Sequence, residues 1–168
     1  MADPSDPTVR NTIGKALGAV PSGVFVLSTA HAGTAPFPLA MLVSWVQQVG
    51  FDPPAVCLAL AKDRPIRNAL EGSRRFALSV LGRADAGLLK RYARAIPIDV
   101  DPFAGVPTRL TPGGLPVLAV AVAWLDCAVS AVHDGPGDHA LFVATVGAGE
   151  VMKADPPFTH VRGNGFRY

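Results

Sequence analysis

The chain is expected to be mainly β, an antiparallel barrel with short helices inserted between some of its strands. Three observations predict that class. Six or seven apolar runs of strand length are separated by turns rich in Pro, Gly and Asp. Strand-like and helix-like runs do not alternate strictly, as a parallel doubly wound sheet requires. The 168 residues are 49% hydrophobic and 17% charged, enough apolar surface for one core and for a further face buried between subunits.

Residues 1–9 are acidic and proline-containing at their start (Met1-Ala-Asp-Pro-Ser-Asp-Pro) and read as a flexible leader, with the folded domain spanning 10–168. That composition is the opposite of a signal peptide. Val9 to Ala19 has the apolar spacing of a short helix at Ile13, Ala16 and Leu17, broken by Pro21-Ser22-Gly23. Val24 to Thr29 is β-branched and aromatic enough for a strand, ending in a turn over Ala32-Gly33-Thr34-Ala35-Pro36.

Ala40 to Val49 reads as a second strand with Ser44 as polar punctuation, and Asp52-Pro53-Pro54 as a rigid turn. Val56 to Ala61 is a wholly apolar strand. Asp63 to Gly72 is expected to be helical, with Pro65 in the first turn and Gly72 at the end. A strand over Arg75–Gly82 and a helix over Ala84–Ala95 follow, the latter marked by Leu88, Leu89 and Tyr92.

Ile96 to Gly114 is a long loop, of the kind that is functional or packs on a partner. The last third holds strand runs at Val117–Ala131, Leu141–Val146 and Gly149–Met152, with Gly147-Ala148-Gly149 as a turn.

Composition excludes several classes. A formal net charge of +2 with scattered arginines argues against nucleic-acid binding. Lys90, Arg91 and Arg94 fall at helical spacing and read as a solvated helix face. The longest apolar run, Leu115 to Leu125, contains Pro116 and is too short to span a bilayer. Cys57 and Cys127 lie in separate apolar runs without Cys-x-x-Cys or paired His, so they read as reduced core thiols of a cytoplasmic protein and not as metal ligands. The sequence has no Gly-x-Ser-x-Gly, no phosphate-binding Gly-x-x-x-x-Gly-Lys loop and no Gly-x-Gly-x-x-Gly opening a helix.

What remains is an ordered series of short segments. It runs through Ala40-Met-Leu-Val-Ser-Trp-Val-Gln-Gln, Phe51-Asp-Pro-Pro, Leu60-Ala-Lys-Asp-Arg, Arg75-Phe-Ala-Leu-Ser-Val-Leu and Asp101-Pro-Phe-Ala-Gly-Val. It continues through Gly114-Leu-Pro-Val-Leu, Ala123-Trp-Leu-Asp-Cys, Gly137-Asp-His-Ala-Leu and His160-Val-Arg-Gly-Asn-Gly-Phe-Arg-Tyr. Over roughly residues 13 to 168 this series resembles the flavin reductase family. It is similar in particular to the reductase domain at the C-terminus of diflavin flavodiiron proteins.

The resemblance implies an FMN-binding split β-barrel, acting as a homodimer whose subunits together enclose the flavin. It implies hydride transfer from NADH or NADPH to N5 of FMN, with FAD as an alternative flavin. Electrons then pass to free flavin, oxygen or a partner protein such as a monooxygenase. The rival readings are a non-catalytic flavin- or haem-binding split-barrel module, an electron-relay subunit, and a flavin-dependent oxidase.

The resemblance also implies a site. Met41, Leu42, Val43, Ser44 and Trp45 correspond to the strand that meets the flavin ring. A backbone N–H and the Ser44 hydroxyl are suitable donors to a ring that gains negative charge on reduction; otherwise Ser44 is a strand serine at a bulge. Ala59, Leu60, Ala61, Lys62 and Arg64 match the phosphate-side segment, where two cations and a helix N-terminus can hold a dianion. Pro65 stands where the family often has Ser or Thr. Asn68 either contributes an amide or faces solvent. His139 of Gly137-Asp138-His139 corresponds to an imidazole at the flavin edge, linked to nicotinamide or substrate binding. His31, His133 and His160 carry weaker signals. Trp45 and Phe103 either stack on a ring system or fill core or interface.

Overall fold

A computed structural model of the protein describes residues 3, 5–31, 33 and 36–166. The start of the expected leader (residues 1, 2 and 4), most of the expected turn over 32–36, and Arg167-Tyr168 lie outside the described residues. In chain order the elements are α1 (Pro7–Gly18), β1 (Ser22–Gly23), β2 (Phe25–Thr29), β3 (Leu39–Val43), β4 (Val46–Phe51), β5 (Pro54–Ala61) and α2 (Ile66–Ser73). They continue with β6 (Arg75–Val80), a 3-10 turn (Arg83–Asp85), α3 (Ala86–Tyr92), β7 (Thr108–Leu110), β8 (Pro116–Leu118), β9 (Ala123–Asp134), β10 (His139–Val151) and β11 (Thr159–His160).

Seven strands form one antiparallel sheet in the order β3-β2-β6-β9-β10-β5-β4. Its two edges, β3 and β4, are joined by Ser44 and Trp45 alone. Three steps of extended chain from Val43 to Val46 cover at most about 10 Å. Six interstrand spacings would separate the edges of a flat sheet by about 29 Å. The sheet must therefore curl until its edges approach, which makes it a barrel split at the Ser44–Trp45 seam. The expected single strand over Ala40–Val49 is thus two strands, divided where the chain crosses from one edge to the other.

Alternation along β5 sorts the two faces. Val56, Leu58 and Leu60 are buried in the barrel interior with Leu27, Phe76, Leu78 and Phe142, while Cys57, Ala59 and Ala61 on the other face are only half-buried. A second cluster of Val24, Val26, Leu81, Tyr92, Phe103 and Leu118 lies beside α3.

Other differences from the sequence reading have local causes. Asp6 caps α1, its carboxylate accepting from the N–H groups of Thr8 (2.7 Å) and Val9 (3.2 Å), with Pro7 in the first turn. Pro7 and Thr8 are accordingly helical and not leader. The helix expected from Asp63 begins at Ile66, after Pro65.

The run Val117–Ala131 divides, because Pro116–Leu118 pairs with Thr108–Leu110 in a separate two-stranded sheet before β9 begins. Apart from Thr108–Leu110, the stretch from 96 to 114 is loop, as expected. Gly147-Ala148-Gly149 is not a turn. It lies inside β10, which runs unbroken from His139 to Val151 with irregularities between Val143 and Ala144 and between Val146 and Ala148. Bulges of this kind bend a long strand so that it can follow a curved barrel.

The two ends of the chain meet beside the seam. Ser22 pairs with His160 and Gly23 with Thr159. The Arg162 N–H donates to Gly18 O at 2.9 Å, and the Gly165 N–H to Gly14 O at 2.6 Å. Gly14 and Gly18 are one helical turn apart on α1. A Cβ at Gly14 would stand 2.6 Å from Asn164 Oδ1, and one at Gly18 would collide with the carbonyl of Arg162.

Candidate functional site

A cleft of about 570 Å³ opens where the barrel is split. Its walls are the α1–β1 link (Val20 to Gly23), the seam and start of β4 (Ser44 to Gln47), Cys57 and Ala59 of β5, and the C-terminal segment at Pro157 to Thr159 and Arg162. Ser44 is 8% exposed, and its hydroxyl is buried without a hydrogen-bond partner. A buried hydroxyl left unpaired is costly. One that borders a cleft is a donor available to whatever enters.

Trp45 is held by its main chain, its carbonyl accepting from the Ala59 N–H at 2.9 Å across the seam. Its ring packs against the His139 imidazole, with centroids 4.7 Å apart and planes tilted by 44°. The Arg162 guanidinium carbon lies 4.9 Å from the centre of the same ring, within cation–π range.

His139 opens β10, and its Nδ1 is 2.8 Å from the Asp138 carboxylate. The hydrogen bond from His139, followed by the charge of its ring, holds the Asp138 carboxyl below the usual carboxylate range. A carboxylate ionised at neutral pH can only accept, so Nδ1 carries the hydrogen and Nε2 of a neutral ring is the acceptor.

Lys62 ties the end of β5 to the same loop. Its N–H donates to Asp138 O at 2.9 Å and its ammonium to Gly135 O at 2.6 Å. Arg64 is exposed just before α2, Pro65 occupies the cap position with no side-chain cap bond, and Asn68 is exposed on the helix.

The structure therefore brings Ser44, Trp45 and Ala59 into one cleft, sets His139 against Trp45, and links Lys62 to the loop that carries His139. Ala61 lies on the same outward face of β5 as Ala59. Other expected site residues point elsewhere. Val43 and Leu60 are buried in the main core, Met41 packs against it, and Leu42 packs against the second cluster. Their side chains are thus engaged in packing. Phe103 is 7% exposed in the second cluster, 6.1 Å from the Tyr92 ring, so core packing is the alternative realised in the structure. Cys57, expected in the core, lines the cleft, whereas Cys127 is in the core.

Sequence reasoning assigned no role to the α1–β1 link or to Arg162. The available signal was the Gly14/Gly18 spacing together with a glycine-bearing tail, a pattern that permits close approach of backbones.

A ring face, an unpaired buried donor, a cation and otherwise neutral walls suit a flat aromatic ligand that carries acceptors and negative charge. The comparisons agree. The flavin reductase like domain family matches residues 17–167. Diflavin flavoprotein A 1 of Synechocystis sp. is 36% identical over 142 residues, covering 84% of this chain and 24% of that protein. The chain thus spans about a quarter of the length of the curated relatives it matches.

Among solved structures, the NADH:FAD oxidoreductase SgcE6 of Streptomyces globisporus C-1027, in complex with NAD and FAD fragments, has a TM-score of 0.80 and 28% identity over 97% of this chain and 93% of its own. A nitrilotriacetate monooxygenase component B homologue from Mycobacterium thermoresistibile has a TM-score of 0.79 and 30% identity over 90% and 82% of the two chains. With this barrel, this seam and a match over nearly its whole length, the chain belongs to the flavin reductase like domain family of oxidoreductases.

Proposed function

We propose that the protein is an NAD(P)H:flavin oxidoreductase that holds FMN in the seam cleft and reduces it with NADH or NADPH. The observation that carries this reading is the Ser44 hydroxyl, buried at the cleft with no protein partner. Such a donor suits a ring acceptor that becomes more basic as the ring is reduced. The lining therefore fits a flavin. When bound, the isoalloxazine supplies the two-electron acceptor for hydride from the nicotinamide.

In this reading the protein binds, orients and excludes water. The main chain of the Met41–Trp45 stretch and the outward face of Ala59 to Ala61 border the ring. Lys62, Arg64 and the start of α2 hold the phosphate by charge and backbone N–H groups, with Asn68 one turn further on. His139, kept in one tautomer by Asp138, places a polar edge beside the nicotinamide. The wall formed by the α1–β1 link and the C-terminal segment keeps bulk water from one side of the cleft. Proton transfer by a dedicated acid–base pair is not required.

The protein acts as a homodimer. Phe51 at the β4–β5 hairpin tip is 90% exposed, Val151 75% and Leu110 72%, and apolar side chains this open are suited to burial by a second copy. Electrons leave to free flavin, oxygen or a partner such as a monooxygenase; the similar nitrilotriacetate monooxygenase component B homologue carries such a name. Two free thiols accord with a cytoplasmic setting.

Steady-state loss of reduced-nicotinamide absorbance with FMN as acceptor tests the reading. Turnover that depends on both flavin and protein supports it. Flavin binding without any nicotinamide oxidation would move the protein to a flavin- or haem-binding module.

A further inference from the structure

The hairpin that carries His139 has an unpacked tip. β9 ends at Asp134, β10 starts at His139, and Gly135, Pro136, Gly137 and Asp138 join them. Residues 133–138 are all exposed. A Cβ at Gly135 or Gly137 would meet nothing within 4 Å among the described residues. A tip with no buried apolar side chain opens easily unless polar ties hold it.

Three ties reach it from β5 and α2 among the described residues. Lys62 supplies two, its N–H donating to Asp138 O at 2.9 Å and its ammonium to Gly135 O at 2.6 Å. The third is Arg67, whose Nη2 donates to Asp134 Oδ2 at 2.8 Å. Asp134 faces Ala140 in the ladder, next to His139.

Arg67 is itself well anchored. Its Nε donates to Glu71 Oε1 at 2.8 Å, one turn along α2, so the guanidinium spans helix and hairpin. Its side chain is 17% exposed, and α2 is seated in the main core through Ile66 and Leu70. A planar guanidinium bonded to two carboxylates keeps little rotational freedom. Those carboxylates also make it a poor phosphate ligand, because their summed charge repels an anion. Lys62 is shared with the flavin phosphate in the reading above. Arg67 is the tie for which no ligand competes.

We infer that Arg67 is a positioning residue for His139: by tying Asp134 to α2 it fixes the hairpin that sets the imidazole against Trp45. The inference rests on the reductase reading, in which His139 lies beside the nicotinamide. It deepens that reading by naming what holds the imidazole in place.

The test has a flavin-free arm and a loaded arm. In the flavin-free chain, Arg67→Ala is expected to speed amide hydrogen exchange of residues 134–139 about tenfold. The nuclear Overhauser contact between the Trp45 and His139 rings, 4.7 Å apart in the structure, is expected to weaken. In the FMN-loaded chain, anaerobic stopped flow uses whichever of NADH and NADPH bleaches the wild type. Arg67→Ala is expected to lower the limiting rate about three- to tenfold, with FMN affinity within about twofold. Arg67→Lys is expected to recover part of the rate. Asp134→Ala should reproduce Arg67→Ala, whereas Glu71→Ala, which breaks only the pair within the helix, should stay within about twofold of wild type. In a His139→Ala background, adding Arg67→Ala should cost less than about twofold more.

A full further loss in that background would overturn the inference, because Arg67 would then act independently of His139. Matching losses for Arg67→Ala and Glu71→Ala, with Asp134→Ala at the wild-type rate, would also overturn it, since that is the pattern of a helix stabiliser. Wild-type reduction together with unchanged exchange in Arg67→Ala would end the inference and leave the reductase reading standing. A wild type that neither donor reduces would end both. If Arg67→Ala does not fold, Asp134→Ala on the exposed hairpin carries the same comparisons.

Discussion

Trp45 and His139 stand ring against ring, 4.7 Å between centroids, although the first sits in the seam between β3 and β4 and the second opens β10. The contact joins the edge crossing of the barrel to the loop that carries Asp138. It sets the imidazole beside the cleft without placing it in the phosphate-side segment. His139→Ala is therefore expected to slow flavin reduction by about 10–100-fold while FMN affinity changes by less than about threefold. Stopped-flow reduction and a flavin titration measure the two separately. Unchanged reduction would remove His139 from the chemistry.

Ser44→Ala separates a ligand role from a structural one. The hydroxyl has no partner in the protein, so its loss should leave the flavin-free protein within about 0.5 kcal/mol of wild type or slightly more stable. FMN binding is expected to weaken about 5–10-fold. Denaturant unfolding and fluorescence titration check this pair, and a large stability loss with unaltered binding would contradict it.

Replacing both Lys62 and Arg64 by alanine is expected to weaken FMN by about 10–100-fold and riboflavin far less. The Lys62 ammonium also ties down the loop at Gly135, so the single Lys62→Ala change should additionally raise hydrogen exchange in residues 134–139. Equal losses for the two flavins would remove the phosphate assignment.

The two thiols should behave differently. Cys127 is 1% exposed, and burial, reinforced by the neighbouring Asp126 charge, pushes its thiol up to about 12. Cys57 lines the cleft. A maleimide is expected to label Cys57 alone in the native protein, and FMN to slow that labelling. Labelling of Cys127 without denaturant, or no protection by FMN, would contradict the cleft geometry.

The same burial gives alkaline stability a sign. In the unfolded chain the Cys127 thiol titrates near its ordinary value of 9.0, and in the fold near 12. The folded state therefore binds the proton more tightly, and stability that is complete below about pH 9 falls as pH rises toward 12. Tyr92, whose phenol burial also pushes up, adds in the same direction. Chemical denaturation midpoints at rising pH should show the fall, and Cys127→Ala should flatten it. An equal slope in the variant would contradict the assignment.

The β class and the strand cores were legible because alternation and apolar runs report burial directly, as along Val56 to Leu60. The seam was not. Val43-Ser-Trp-Val reads locally as one strand, and only the pairing of β3 with β2 and of β4 with β5 reveals that the chain changes edges. Gly147 to Gly149 carries turn residues, but its flexibility is used inside a bulged strand of a curved barrel. Ser44, Trp45 and His139 were found by their place in an ordered series of segments. Arg162 belonged to the same series and was passed over, because its position depends on a helix some 150 residues earlier laying Gly14 and Gly18 against the tail. Close backbone packing of that kind leaves no periodicity to read.

In the proposed function, flavin in the seam cleft takes electrons from a nicotinamide nucleotide. The most direct test is the visible spectrum of the purified protein with FMN, followed anaerobically on adding NADH and then NADPH. A flavin spectrum perturbed by the protein and bleached within seconds by one of these donors is the predicted result. A perturbed spectrum that survives both donors would contradict nicotinamide-dependent reduction.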